Sequence, residues 1–212
     1  MRRVALVLGF LLTTPVFLAA QAVSSGWKAK VDTDLPLLGH RNWILIVDSA
    51  YPLQSSPGVE TVETNADHIE VVRYVMGAIN KSIHVRPDIF MDAELPYVQE
   101  EDAPGTSAYR DAIAKLLDGH NIQSELHQRL IEDVDRAGQL VHVLVLKTRL
   151  AVPYSSVFIR LNCKYWGDDA EERLRSKMGP PPEAPETAPV PQPLPALPAP
   201  PPAQEAPPVT PQ

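Results

Sequence analysis

The most constraining feature of the sequence is an unbroken run of five large apolar residues, Trp43 to Val47. A run this short that is apolar on both faces predicts a β-strand covered on two sides, as in an α/β sheet. His40 precedes the run and Asp48 follows it directly. Because open α/β sheets bind ligands at the carboxyl ends of their strands, Asp48 is a candidate binding residue. The same pattern also fits a strand flanked by ordinary turn residues.

Helical and strand-like patterns alternate along the rest of the chain. Apolar residues three to four apart predict helices from about Ala66 through Ile79, over Ser107–Asp118, and from Ile122 to Gly138. Strands are predicted at four further places, which are Val59–Glu63, Ile83–Met91 with an edge or bend at Pro87, Leu140–Leu146 and Val157–Leu161. Strands alternating with helices of this length predict a three-layer α/β/α sandwich in a single domain.

The amino-terminal residues, 1–22, have the order of a secretory signal peptide. Arg2 and Arg3 precede an apolar run, and small residues flank Gln21 at its end. This order predicts export to the periplasm or secretion from a bacterial cell, with no stable membrane span after cleavage. An uncleaved anchor is the alternative, but residues 13–15, Thr-Thr-Pro, leave the apolar run short for a span.

The carboxyl-terminal residues, 179–212, contain 15 of the 23 prolines and no Lys, Arg or aromatic residue. Such a segment predicts a disordered, extended tail that serves as a spacer or docks on a partner that the sequence does not identify. The remaining residues, 23–178, are long enough for one domain with a hydrophobic core.

Composition excludes several classes of function. The net charge is −7 and no basic cluster exceeds a pair of residues, which argues against nucleic-acid binding. Cys163 is the only cysteine, so neither an intrachain disulfide nor a multi-cysteine metal site is expected. The sequence contains no His-Glu-x-x-His pair, no Gly-x-Ser-x-Gly elbow and no glycine-rich phosphate loop. We therefore expect no metal and no cofactor.

Three residues remain as candidates for chemistry. If the segment before the first strand folds over the strand's carboxyl end, the His40 imidazole approaches the Asp48 carboxylate, and Tyr154 adds a phenol to the same rim. Such groups exchange protons and bind hydroxyls, which suits a polyhydroxylated ligand. A hydrolase that uses Ser49 is disfavoured because neighbouring side chains of a strand point to opposite sides.

Two other histidines are predicted to be structural or solvated. His142 lies within the predicted strand Leu140–Leu146, which favours a hydrogen-bonded core residue. His68 lies in a first helical turn, which favours a solvated side chain.

Three segments resemble the D-ribose pyranase and L-fucose mutarotase family (RbsD/FucU). The first is Leu-Gly-His at residues 38–40, followed by the apolar strand, Asp48 and Pro52. The second is residues 108–113, Ala-Tyr-Arg-Asp-Ala-Ile, and the third is residues 143–148 followed by Tyr154. They lie in the family's order and cover about residues 36–162.

The resemblance implies the family's fold and an isomerase that interconverts anomers or ring forms of a free monosaccharide. It implies that His40 is the general acid, that Asp48 binds sugar hydroxyls, and that Tyr154 is the tyrosine of a Tyr-x-Asn triplet in the sugar site. Ser155 and Ser156 occupy the other two positions of that triplet, so the resemblance implies that they bind the sugar together with Tyr154 and Asp48. The family forms ring-shaped homo-oligomers, commonly decamers, in which a neighbouring subunit completes each site.

The sequence departs from the family's pattern at two places. Ser156 replaces an asparagine, and a serine has a shorter reach and lacks the paired groups of an amide. A further His or Arg is expected about twenty residues before the tyrosine, where the sequence has Glu132 and Asp133, with His127 and Arg129 slightly upstream. The alternative function is therefore a sugar-binding or assembly protein that keeps the fold and has lost catalytic rate.

Overall fold

A computed structural model describes residues 26–178 of the chain. The predicted signal peptide, 1–22, and the predicted tail, 179–212, lie outside the described residues. The chain divides after Asp168 into two compact units. Among the described residues, the second unit consists of residues 169–178, which form helix α5 (Asp168–Met178) together with the last residue of the first unit, and this helix carries an ion pair between Arg175 and Glu171. None of the helices within residues 26–178 is long and apolar enough to cross a membrane.

The first unit alternates helices and strands along the described chain. The helices are α1 (Trp27–Asp34), α2 (His68–Lys81), α3 (Thr106–Leu116) and α4 (His127–Gly138). The strands are β1 (Trp43–Val47), β2 (Val59–Glu63), β3 (Val85–Asp92), β4 (Ile122–Glu125), β5 (Val143–Lys147) and β6 (Val157–Cys163). A single 3₁₀ turn, Leu95–Tyr97, follows β3.

All of these strands belong to one sheet, in the order β2-β5-β1-β6-β3-β4. Strand β6 is antiparallel to both of its neighbours, and the other strand pairs are parallel. The carboxyl ends of β1 to β5 therefore meet at one edge of the sheet, which also contains the start of β6. We call this the carboxyl edge, and we call the opposite edge the amino edge.

The two faces of β1 pack against different helices. Ile44 and Ile46 belong to a core that also contains residues of α1, α2 and α3. Trp43, Leu45 and Val47 belong to a second core, which contains residues of α4. All five side chains of β1 are buried, as expected for a strand between two helical layers. The predicted α/β class with a three-layer α/β/α arrangement in a single domain is thereby confirmed.

The third predicted helix begins five residues later than its apolar spacing suggested. Residues Ile122–Glu125 form strand β4, which pairs in parallel with Ile89–Asp92, and helix α4 begins at His127. All four residues of β4 are exposed. The pairing with β3, rather than burial of a side-chain stripe, determines the conformation here.

Strand β3 is continuous through Pro87, where the sequence suggested an edge or a bend. Pro87 lies opposite Leu161 of β6, whereas β4 pairs only with Ile89–Asp92. The proline therefore occupies the part of β3 that has a neighbouring strand on one side alone, where the missing N–H costs least.

His68 and His142 both differ from expectation. His68 is 1% exposed rather than solvated, and its Nδ1 lies 3.1 Å from the Thr148 hydroxyl. Asp67 caps α2 by accepting a hydrogen bond from the Glu70 N–H, and the first helical turn places His68 in the core against the Tyr109 ring. His142 precedes β5 and is half-buried, because the strand begins only at Val143.

Candidate functional site

A cavity of about 390 Å³ opens at the carboxyl edge of the sheet. Its lining includes Asp48 after β1, His127 at the start of α4, and Tyr154 in the turn before β6. Three separate chain segments therefore bring a carboxylate, an imidazole and a phenol to one place. A volume of this size falls within the usual range of small-molecule pockets.

His127 is held by a buried carboxylate at the end of β3. Its Nδ1 lies 3.0 Å from Oδ1 of Asp92, whose side chain is inaccessible to solvent. The carboxylate of Glu94 accepts the backbone N–H of His127, which satisfies a free donor at the first turn of α4. With Nδ1 facing a carboxylate, Nε2 is the nitrogen left to act on a ligand.

Asp92 is electrostatically unusual. Burial raises the pKa of its carboxyl group to about 6, the hydrogen bond from His127 opposes that rise, and the charges of Glu94 and Asp48 add to it. Within residues 26–178, its Oδ2 has no hydrogen-bond partner although it is buried. A buried carboxyl group with a raised pKa, hydrogen-bonded to an imidazole beside a cavity, is an arrangement typical of acid–base sites.

The backbone places Tyr154 in the cavity at a conformational cost. Tyr154 has a φ of 56°, in the left-handed region that non-glycine residues rarely adopt. Two hydrogen bonds hold this turn, one from the Tyr109 hydroxyl to the Ser155 carbonyl and one from the Ser155 hydroxyl to the Val152 carbonyl. The Tyr154 ring meets the His127 ring edge to face, with centroids 5.4 Å apart.

Asp48 lies where the sequence predicted a ligand group, directly after β1 and partly exposed. Its Oδ1 accepts the Ala50 N–H at 2.7 Å, which forms a turn around the carboxylate. Tyr51 lies buried in the lining of the same cavity, and burial together with nearby carboxylates raises the pKa of its phenol. Among the described residues, none holds the second oxygen of Asp48 in a hydrogen bond, so this oxygen is available for a ligand hydroxyl.

Ser155 and Ser156, the other two predicted sugar-binding residues, are both buried, at 0% and 1% exposure. The Ser155 hydroxyl donates to the Val152 carbonyl, so it stabilises the turn. The Ser156 hydroxyl is buried without a hydrogen-bond partner in the described part of the chain. Of the three residues in this triplet, Tyr154 is the one whose side chain lines the cavity.

His40 lies at the amino edge, away from Asp48 and Tyr154. It lines a different cavity, of about 480 Å³, together with Arg41, Arg160 and others. The five residues of β1 separate the two edges by about 13 Å from the first Cα to the last. Within one chain, the structure therefore brings Asp48 and Tyr154 together and leaves His40 at the other end of the strand.

One cluster has the composition of a cation site. Oxygen and nitrogen atoms of Asp34, Glu60 and His142 lie within 4.8 Å of one another. The ammonium group of Lys30 lies 3.0 Å from Asp34 and 2.8 Å from Glu60, and hydrogen bonds to these carboxylates raise the pKa of Lys30. The ammonium group of Lys30, a positive charge of the chain itself, thus lies beside both carboxylates of this cluster.

Sequence reasoning left the role of His127 open and missed Asp92. His127 was one of two basic residues upstream of the expected position, and its distance from the tyrosine did not identify it. Asp92 follows the apolar residues Ile89–Met91 as Asp48 follows β1. The same signal, an aspartate at the carboxyl end of a buried strand, would have identified both.

No protein-family model and no curated protein matches the sequence. Among solved structures, the chain is similar to RbsD from Bacillus subtilis in complex with D-ribose, at 13% identity and a TM-score of 0.46, over 62% of this chain and 90% of that one. It is similar to FucU from Bifidobacterium longum, at 15% identity and a TM-score of 0.44, over 62% and 91% of the two chains. It is also similar to the fucose mutarotase of Streptococcus pneumoniae in complex with L-fucose, at 16% identity and a TM-score of 0.40, over 62% and 89%. These structures are RbsD and FucU proteins, the family that the sequence pattern itself resembles.

Proposed function

We propose that this protein is a monosaccharide mutarotase or pyranase-like isomerase, which interconverts anomers or ring forms of a free sugar by acid–base catalysis. One observation carries the proposal. The cavity at the carboxyl edge combines His127, backed by the buried Asp92 carboxylate, with the Tyr154 phenol and the Asp48 carboxylate. The sequence pattern around His40, Asp48 and Tyr154 supports the same reaction.

The reaction needs two coupled proton transfers and no group transfer. As the anomeric hydroxyl loses its proton to a base, its electrons form the carbonyl and the bond between the anomeric carbon and the ring oxygen breaks. The ring oxygen keeps that electron pair and takes a proton from an acid. Rotation of the open chain and the reverse steps produce the other anomer.

The groups at the carboxyl edge suit the acidic half of this exchange. The Asp92 carboxylate stabilises a protonated His127 imidazole, which donates to the ring oxygen from Nε2. Asp48 accepts hydrogen bonds from sugar hydroxyls, and Tyr154 orients the sugar and covers the His127 ring. Each of these roles uses a side chain that lines or supports the cavity.

His40 requires a second copy of the chain in this scheme. Because it lies at the opposite edge of the sheet from His127 in its own chain, it reaches the sugar only from a neighbouring subunit. The resemblance implies homo-oligomers, commonly decamers, with sites completed in this way. We therefore propose a homo-oligomer whose sites combine the amino edge of one copy with the carboxyl edge of another.

NMR saturation exchange between the anomers of ribose, fucose and related sugars tests the function. The protein should accelerate exchange of at least one sugar, and His127→Gln should reduce that rate roughly 10²- to 10⁴-fold, as expected for loss of a general acid. His120→Gln is a matched control, since His120 is exposed and lies outside this cavity. If every sugar exchanged only at its rate in buffer, even at high protein concentration, the proposed enzymatic function would be refuted.

A sugar-binding or assembly protein without catalytic rate is the second candidate. The burial of Ser156 favours it, because no amide extends into the cavity at the position where the family has an asparagine. Calorimetry with the same sugars separates the two functions. Binding without accelerated exchange supports this second function, whereas loss of exchange with retained binding in His127→Gln excludes it.

We also propose that the protein acts outside the cytoplasm, with the tail of residues 179–212 as a spacer or docking segment. The order of residues 1–22 supports export. Mass spectrometry of the mature chain should find a new amino terminus near residue 23. An intact Met1 on the protein recovered from the cell would exclude cleavage at this site.

A further inference from the structure

His40 at the amino edge belongs to a hydrogen-bonded chain of side chains. Its Nδ1 lies 3.1 Å from Oδ1 of Asn162, which is near the end of β6. The imidazole is exposed on its other side and lines the cavity of about 480 Å³. The state of Nδ1 therefore determines which nitrogen His40 presents to a ligand.

Two further contacts determine the orientation of the Asn162 amide. The backbone N–H of Cys163 donates to Oδ1 of Asn162 at 2.8 Å, so this end of the amide accepts hydrogen bonds. At the other end, Nδ2 of Asn162 donates to Oδ2 of Asp88 at 3.0 Å. Both contacts require the same orientation of the amide, with its oxygen towards His40.

Asp88 is itself held in place by two arginines. Arg86 binds its Oδ1 at 3.0 Å, and Arg160 binds its Oδ2 at 3.2 Å. The Arg160 guanidinium also stacks on the Phe90 ring, 5.1 Å from its centroid. Two guanidinium groups therefore offset the charge of this carboxylate, and it orients the amide without leaving a net negative charge beside His40.

We propose that Asn162 and Asp88 are positioning residues that hold neutral His40 as the Nδ1–H tautomer, so that its Nε2 lone pair faces the cavity as a proton acceptor. Because the amide oxygen of Asn162 only accepts, the His40 nitrogen beside it carries the hydrogen. The tautomer rests on the contacts of His40 alone, and its use in sugar isomerisation rests on the proposed function.

In that reaction, Nε2 of His40 takes the proton of the anomeric hydroxyl as the carbonyl forms and the ring bond breaks. The ring oxygen takes its proton from the acid of the carboxyl edge. On ring closure the imidazolium of His40 returns its proton to the new anomeric hydroxyl, which is the acid role that the family resemblance implies. Protons and electrons balance over the cycle.

Imidazole ¹⁵N NMR of the full chain tests the tautomer without reference to activity. The His40 signals are assigned as those missing from His40→Gln. Above neutral pH, Nδ1 should show the shift of a protonated nitrogen and Nε2 that of a bare one. In Asn162→Ala the imidazole should change towards the Nε2–H tautomer, which unrestrained imidazole prefers in water, and Asp88→Asn should cause a smaller change in the same direction.

Exchange kinetics test the positioning role. Asn162→Ala should lower the maximal rate roughly tenfold, with the sugar concentration at half-maximal rate nearly unchanged, since catalysis by a positioned base is lost and binding is not. Asn80→Ala, at an exposed asparagine of α2, is the matched control and should match the original protein in both experiments.

Two results would overturn the proposal, namely an Nε2–H tautomer of His40 in the original protein or an unchanged tautomer in Asn162→Ala. An unchanged exchange rate in Asn162→Ala with an altered tautomer would overturn its catalytic part. If the original protein accelerates no sugar, the proposed function fails, and the NMR result alone then supports or overturns the tautomer.

Discussion

His127 and His40 lie at opposite edges of one sheet and present their imidazoles in similar ways with different partners. Each directs Nδ1 at an oxygen, which belongs to the Asp92 carboxylate at 3.0 Å for His127 and to the Asn162 amide at 3.1 Å for His40. A carboxylate stabilises an imidazolium, whereas an amide oxygen carries no net charge and stabilises it less. In the proposed reaction, the carboxyl edge therefore donates a proton and the amino edge accepts one.

His68 shows what a histidine becomes with neither partner. Its Nδ1 contacts the Thr148 hydroxyl, and its ring packs edge to face against Tyr109 in the core. Burial lowers its pKa to about 4, so it stays neutral at any ordinary pH. The partner of Nδ1 and the access of solvent thus distinguish the three histidines more than their positions in the sequence do.

Mixing two inactive variants tests most directly whether the two edges of different copies form one site. His40→Gln and His127→Gln should each lose roughly 10²- to 10⁴-fold in exchange rate. If one site combines the two edges of different copies, random mixed oligomers should regain about a quarter of the original sites. NMR exchange at equal total protein measures the recovery.

The double variant His40→Gln/His127→Gln, mixed with itself, supplies the background rate. No recovery in oligomers that native mass spectrometry shows to be mixed would mean that the two histidines do not share a site between copies.

Asp92→Asn gives His127 the kind of partner that His40 has. Exchange should fall about a hundredfold, because the imidazolium loses its carboxylate. The stability of the folded variant should increase, in contrast to its exchange rate. Burial raises the pKa of Asp92 from 3.8 to about 6, which means that the folded protein favours the protonated carboxyl group. The contribution of this group to the free energy of unfolding is therefore complete below pH 3.8 and is lost as the pH rises through 6. The variant should therefore unfold at higher denaturant concentration than the original protein at pH 7.5.

Asp118→Asn, at an exposed aspartate, is the matched control for both measurements. Equal exchange rates in Asp92→Asn and the original protein would remove the distinction between a carboxylate and an amide partner.

His68→Phe tests whether the third histidine is purely structural. The pKa of His68 in the folded protein, about 4, lies below the ordinary value of 6.5. The stability that the buried neutral imidazole contributes is therefore complete above pH 6.5 and is lost as the pH falls towards 4. The loss amounts to about 3 kcal/mol, from about 1.4 kcal/mol per pKa unit. Denaturant unfolding at several pH values should show this part of the pH dependence in the original protein and in His120→Gln, and should not show it in His68→Phe. An identical pH slope in all three proteins would contradict a buried neutral imidazole.

Tyr109→Phe tests the turn that holds Tyr154 at the carboxyl edge, and it should have the smallest effect of these variants. It removes the hydroxyl that binds the Ser155 carbonyl, and with it a restraint on the left-handed turn at Tyr154. We expect about 1 kcal/mol lower stability and roughly tenfold slower exchange, with weaker sugar binding. Tyr97→Phe, at an exposed tyrosine, should change neither stability nor exchange rate. A loss of stability with unchanged exchange would show that the turn holds Tyr154 without this bond.

Local pattern was enough to predict the elements that bury a side-chain stripe. Strand β1 and the cores of α2 and α3 follow from apolar residues whose spacing matches one period. The segment Ile122–Glu125 could not be assigned in this way, because it is exposed and its conformation depends on pairing with β3. The prediction of a solvated His68 was wrong for a related reason, since its burial depends on contacts with Thr148 and Tyr109, which are distant in the sequence.

The sequence by itself determined the β1 segment, the aspartate at its carboxyl end, the layered α/β architecture and the family resemblance, because these depend on residues close together in the chain. The tertiary structure alone decided which side chains meet. Strand order and direction set His127 on Asp92 beside Asp48 and Tyr154, and set His40 on Asn162 at the far edge. Pairing between strands that are distant in the sequence fixes the side chains at both edges of the sheet, and the local spacing of residues does not encode that pairing.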